Sequence, residues 1–237
     1  MACAMVVIIA LFTMINQMTL AADLTCVVGP HHKAFPSSEP DMRADTACSR
    51  YSSLSCCVAN TSHSIDQQGD RELYKLHWDD CGNISTSCER YLKAESCFYA
   101  CDPYLGPWKG SEDLSLYALP VCASSCDEWF DACKDVPICT RNWLTDFKED
   151  NTTGEYHCSN QTCRTFTEWY QNGKGMCDTM WGNSYQYDAD NENCMVMTFT
   201  GNNPNANVKK DTNGATGVLQ CQSSLFLAVL SYVLLQF

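Results

Sequence analysis

The chain has 237 residues, 18 of them cysteine, and a formal net charge of -13 from 28 acidic against 15 basic residues. That length suits one domain or two small ones with a substantial core, while an acidic balance without a basic cluster excludes nucleic acid as a natural partner. Cysteine this dense, with no Cys-x-x-Cys pair and no zinc-type Cys/His array, reads as a disulfide framework made in an oxidising compartment.

At the N-terminus, the apolar run from Ala4 to Ile15 and the small residues Thr19 to Ala22 match a signal peptide over residues 1–22, although a basic leading region is missing. A folded domain is expected over 23–199. Its opening is loop-like, with Pro30, Pro36 and Pro40, as far as about Ser62. Adjacent Cys56 and Cys57 do not easily bridge to each other and should tie this segment to two different places. Leu73, Tyr74, His77 and Trp78 fall on one side of a short amphipathic helix or turn.

A capping-box pattern from Thr86 to Glu89 starts the next helix, which runs through Tyr99, and Asp102-Pro103 ends it. Cys97 and Cys101, four apart, point the same way and can pin that helix end by two bridges. Tyr99 between them is a clamped ring, read first as core filler and second as one wall of a planar-ligand site. The loop from Leu105-Gly-Pro-Trp108 leads to Pro120, which suits the first turn of a helix. There Cys122, Cys126, Trp129, Phe130 and Cys133 form a continuous face, the hub to which other segments are bridged.

From Cys139 to Phe147 the chain is a short aromatic-bearing loop, closed into a lobe if Cys139 pairs with Cys158. Thr165 to Glu168 is a second capping box, for a helix that carries Trp169 and Tyr170 and stops at Asn172-Gly173. Gly175 to Gly182 gives a last helical turn. After Cys194 the Asn/Gly/Lys-rich sequence lacks periodicity, and residues 200–214 read as a stalk. Small residues at Asn213-Gly-Ala215 precede the apolar run Leu225 to Phe237, which is shorter than the roughly 20 residues of a spanning helix. This is the layout of a glycolipid (GPI) attachment signal, with 215–237 as its removed propeptide. Removing both ends takes Cys3 and Cys221 with them and leaves sixteen of the 18 cysteines, an even number that permits eight bridges. Sequons at Asn60, Asn83, Asn151 and Asn160 add glycosylation sites suited to an extracellular surface.

The five histidines, His31, His32, His63, His77 and His157, complete no metal set by spacing, and His31-His32 reads as surface. No Gly-x-Ser-x-Gly or His-Glu-x-x-His motif occurs, and bridged cysteines have no thiolate to offer. The sequence therefore supports neither a metal nor a catalytic cofactor nor an enzyme. The rings Trp78, Tyr99, Trp108, Trp129, Trp143, Trp169 and Trp181 exceed what a core of this size needs. A planar heterocycle is their natural guest, with stacking worth roughly 1–3 kcal/mol per base in proteins that bind nucleobases.

Cys97-Phe-Tyr-Ala-Cys101, Leu105 to Trp108, Pro120 to Cys133, Asn142 to Phe147 and Met180-Trp-Gly-Asn-Ser184 resemble the family of folate receptors and riboflavin-binding proteins. The likeness runs in the family's order and cysteine spacing from roughly Cys26 to Met197. The runs His32 to Met42 and Cys133 to Asp146 are similar to the riboflavin-binding branch. The resemblance implies an α-rich (α+β), disulfide-stapled globular domain of several helices, short strands and long loops. It implies bridges Cys26–Cys56, Cys48–Cys97, Cys57–Cys101, Cys81–Cys163, Cys88–Cys133, Cys122–Cys194, Cys126–Cys177 and Cys139–Cys158.

The same resemblance implies a vitamin ring held between Tyr99 and Trp181, with Trp143 and Phe147 as further pocket aromatics and Tyr74, Trp108 and Ser184 nearby. Phe147 stands where the family has tryptophan. Folate receptors hold the glutamate tail of folate with arginine and tryptophan in the loop before the central helix. Here Lys109 to Tyr117 has no arginine and carries Glu112 and Asp113. A carboxylate tail buried without a cation costs several kcal/mol, so riboflavin, bound as ligand and not as cofactor, is expected ahead of folate or another pterin. Glu95 falls where folate receptors grip the pterin's amino edge; it reads first as a solvated helix charge and second as a partner for a ring N-H. The expectation is a cell-surface, GPI-anchored or secreted riboflavin carrier, the alternatives being a folate/pterin receptor or an adhesion protein with a vacated vitamin site.

Overall fold

The computed structural model describes residues 24–68, 70–112, 115–159 and 162–210. The expected signal peptide and attachment propeptide, together with Asn160 and Asp113, lie outside the described residues. Among the described residues no helix is long and apolar enough to cross a membrane.

Helices α1 (Ala59–Gln68), α2 (Asp70–Tyr74) and α3 (Thr86–Cys101) come first. Strand β1 (Leu119–Cys122) then feeds α4 (Ala123–Cys133). Short strands β2 (Pro137–Ile138), β3 (Phe147–Glu149), β4 (Tyr156–Cys158) and β5 (Arg164–Thr165) lead to α5 (Phe166–Tyr170), α6 (Gly173–Cys177) and β6 (Tyr185–Asp188). The strands make three two-stranded sheets: β1 with β6 in parallel, and β2 with β5 and β3 with β4 antiparallel. This is an α-rich domain with short strands, as expected, and the eight disulfides among the described residues are the pairs implied by the resemblance.

Helix α4 is the hub. Cys122 at its start is bridged to Cys194, Cys126 to Cys177 of α6 and Cys133 to Cys88 of α3. Its inner face buries Trp129 and Phe130 in a core shared with Phe98, Leu119, Val121, Phe166, Met176, Met180 and Met195. Each such side chain contributes about 1.5–3 kcal/mol by leaving water. Gly173 allows the close approach of α6, because a Cβ there would lie 2.8 Å from the Asp127 backbone. A second cluster, of Met42, Tyr51, Ile65 and Ala100, joins the N-terminal segment to α1 and the end of α3.

Several boundaries differ from the sequence reading. The N-cap of α3 is Ser85, whose hydroxyl accepts from the Cys88 N-H, one residue before the expected box. Its C-cap is Asp102, in extended geometry ahead of Pro103, as expected. The loop-like opening gives way to α1 already at Ala59. Helix α2 stops at Tyr74 because Lys75 turns left-handed at φ 55°, so Leu76, His77 and Trp78 do not continue it; Leu76 instead bridges to Tyr156. Pro120 lies in β1 opposite Gln186, and its carbonyl accepts from the Met195 N-H. The hub helix therefore begins three residues later, at Ala123. Asn172-Gly173 opens α6, with the Asn172 side chain accepting from Gly175 N-H, while α5 ends at left-handed Gln171.

Packing also continues past Phe199 into the stretch read as a stalk. Pro204–Asn207 forms a 3-10 turn, and Asn205 is buried with its amide donating to Asp102 and to the Val196 carbonyl.

Candidate ligand-binding site

A cavity of about 370 Å3 opens between the end of α3, the lobe around Trp143 and the turn after α6. Helix α3 supplies Glu95, Ser96 and Tyr99, and its end is pinned by Cys48–Cys97 and Cys57–Cys101. Tyr74 at the end of α2 meets Tyr99 edge to face at 6.2 Å. On the opposite wall Trp143 packs edge-on against Trp181 at 5.5 Å and against Phe147 at 5.8 Å. Ser184 and Tyr185 enter from the start of β6, while Ser115 and Leu116 come from the loop before β1.

The backbone explains why these rings converge. Trp143 N-H donates to the Met180 carbonyl, locking the two aromatic segments together. Trp181 sits in a chain of turns closed by Gly182 at φ 60°, and Ser184 N-H returns to the Trp181 carbonyl. The Trp143 lobe is stitched internally by Asp146, whose carboxylate accepts from Thr140, Thr145 and the Asn142 N-H. Burial pushes the Asp146 pKa up, but these hydrogen bonds together outweigh it and hold the carboxyl below its ordinary range. The Cys139–Cys158 bridge closes the lobe.

Behind the tyrosine wall stand the two histidines read as surface. His31 and His32 meet Tyr74 and Tyr99 edge-on at 5.3 and 5.1 Å. Their Nε2 atoms donate to the Leu73 and Tyr99 carbonyls. Burial holds the His32 pKa below its ordinary value, although the Tyr99 carbonyl favours the proton.

Of the residues expected at the site, Tyr74, Glu95, Tyr99, Trp143, Phe147, Trp181 and Ser184 line one cavity. Trp108 does not: it is buried in the core, 3% exposed, where its carbonyl accepts from Tyr117 N-H and so shapes the loop that brings Ser115 and Leu116 to the cavity. Glu95 is not a solvated helix charge. It is 5% exposed and accepts from the Tyr185 hydroxyl at 2.6 Å. Leu76, Ser96, Ser115, Leu116, Leu144, Tyr156 and Tyr185 were not singled out in the sequence, because long-range strand and loop pairing brings most of them here. Among the described lining residues, Glu95 is the one with a formal charge, and the Trp181 indole N-H is buried without a hydrogen bond.

The family model described as "Folate receptor family" matches residues 25–196. Riboflavin-binding protein of Gallus gallus is 38% identical over 190 residues, covering 80% of this chain and 77% of the relative. The riboflavin-binding protein of Dromaius novaehollandiae is 36% identical over the same shares. Folate receptor gamma of Homo sapiens is 30% identical over 196 residues, 78% of each chain. With its disulfide frame and aromatic cavity in place, the chain belongs to the folate receptor family.

Proposed function

We propose that this protein is an extracellular carrier that binds riboflavin in the cavity described above and does no chemistry on it. The observation that carries the reading is the lining: aromatic rings from separate segments around about 370 Å3, with a single formally charged residue among those described. Riboflavin is uncharged and planar. Its ring would stack between Tyr99 and Trp181, with Trp143 and Phe147 closing the pocket. Ser96, Ser115 and Ser184 are at hand for the ribityl hydroxyls. Two relatives that bear the name riboflavin-binding protein support flavin as the guest.

Attachment through a glycolipid added in place of residues 215–237 would hold the carrier at the cell surface. Asn60, Asn83 and Asn151 are exposed, as glycan acceptors must be.

One observation favours a second reading. Glu95 is buried in the cavity wall, where a carboxylate can accept from the N-H edge of a pterin, so a folate or pterin ligand is the competing assignment. Titrating the protein into riboflavin and following flavin fluorescence separates the two. Strong quenching is expected. Unchanged fluorescence together with tight folate binding by calorimetry would overturn the riboflavin assignment.

A further inference from the structure

Beside the cavity, four titratable side chains converge where Leu76 pairs with Tyr156. The imidazoles of His77 and His157 are stacked with centroids 4.2 Å apart and 24° between their planes. The Nε2 atoms of both face one oxygen, Glu155 Oε2, at 3.4 and 3.6 Å. On its other side, His157 Nδ1 meets the two Asp80 oxygens at 3.0 and 3.2 Å. One ligand atom each from His77, Asp80 and His157 lie within 4.8 Å of one another. His77 Nε2 is buried and makes no hydrogen bond in the protein.

Each feature has a chemical meaning. Asp80 accepting from Nδ1-H leaves the His157 lone pair on Nε2, which is how a carboxylate orients a metal-binding histidine. Two imidazole nitrogens and a carboxylate oxygen suit a borderline divalent ion such as zinc, with bonds of about 2.0–2.2 Å. Convergence of the lone pairs requires modest ring rotation, for which the His157 side chain, 41% exposed, has room. The neighbouring group of Asp80 with Cys139 and Cys158 is no competitor, because those cysteines are bridged.

The geometry points to a zinc-class divalent cation site formed by His77, Glu155 and His157, with Asp80 positioning His157. Leu76 and Tyr156, each next to one of these histidines, line the cavity. The bound ion would therefore staple the Leu76–Tyr156 bridge at the cavity wall. No local motif announces the site, since Asp80 and His157 are 77 residues apart in the chain.

Calorimetric titration of Zn2+ into chelator-treated, disulfide-intact full-length protein tests the assignment. One equivalent is expected to bind. His77→Ala and His157→Ala should each weaken binding at least about tenfold, Asp80→Asn roughly tenfold, and exposed His63→Ala not at all. In the unaltered protein the NMR ring signals of His77 and His157 should shift with Zn2+ while those of His31, His32 and His63 stay in place, a readout that does not depend on any variant folding. Absence of a stoichiometric heat, unmoved signals of His77 and His157, or Zn2+ affinity retained in the folded double variant H77A/H157A would overturn it.

Discussion

Tyr185 donates its hydroxyl hydrogen to Glu95 Oε1 at 2.6 Å, joining β6 to α3 inside the cavity wall. The bond connects the residue on which the choice between flavin and pterin turns to a strand held in register by Leu119. Removing this donor by Tyr185→Phe should cost about 0.5–3 kcal/mol of stability, the range for the net contribution of one hydrogen bond to a neutral or charged acceptor. Urea unfolding at neutral pH measures it, and an unchanged midpoint would show that the contact contributes nothing.

If the vitamin ring stacks as proposed, Tyr99→Ala and Trp181→Ala should each weaken riboflavin binding by about 1–3 kcal/mol, roughly five- to 150-fold. Trp108→Phe provides the contrast. It lies in the core and should lower stability while leaving the affinity of the folded protein as it was. Fluorescence titration of the three variants decides between stacking and a ligand seated elsewhere.

Asp102 is buried beneath the C-terminal turn, and burial raises its pKa from 3.8 to about 6 against the opposing bonds from Asn205, the Tyr104 N-H and Asn203. The folded state thus holds this proton more tightly than the unfolded chain does. Its contribution to stability is full below about pH 3.8 and is lost as pH rises through about 6, up to about 3 kcal/mol in all. Asp102→Asn should remove that dependence. His32 acts in the opposite sense: its lowered pKa means stability lost as pH falls below its ordinary 6.5, so the difference between variant and unaltered protein is the informative quantity. Unfolding curves at pH 4, 5, 6 and 7 whose difference is constant would sink the assignment.

The bridge Cys139–Cys158 spans a separation of 19 residues, for which loop-closure entropy gives about 3 kcal/mol. Replacing both cysteines by alanine should cost about that much and also reduce riboflavin affinity, because Trp143 and Phe147 lie within the closed lobe. A stability loss with affinity intact would dissociate the lobe from the ligand.

Much of this was legible in the chain. The density and parity of the cysteines announced the stapled frame, and the spacing of Cys122, Cys126 and Cys133 with Trp129 and Phe130 marked the hub helix. Family-like motifs picked out Tyr99, Trp143, Phe147, Trp181 and Glu95. What stayed hidden depends on contacts distant in sequence. Pro120 carries the signature of a helix start, yet pairing with β6 and with Met195 draws it into a strand. His31 and His32 look like surface residues until Tyr74 and Tyr99 are folded against them. An Asn-rich tail reads as unstructured, but the amides of Asn203 and Asn205 donate to the buried Asp102 carboxylate. Ser85 and Thr86 are both competent caps, and local pattern could not choose between them.

The bridges Cys48–Cys97 and Cys57–Cys101 close two rings that overlap along the chain. A protease that cut once between Val58 and Ser96 would open both rings but would leave the two pieces joined by both disulfides. Such a nicked molecule would travel as one species until reduced, with the helix end bearing Tyr99 still fastened on both sides of its ring.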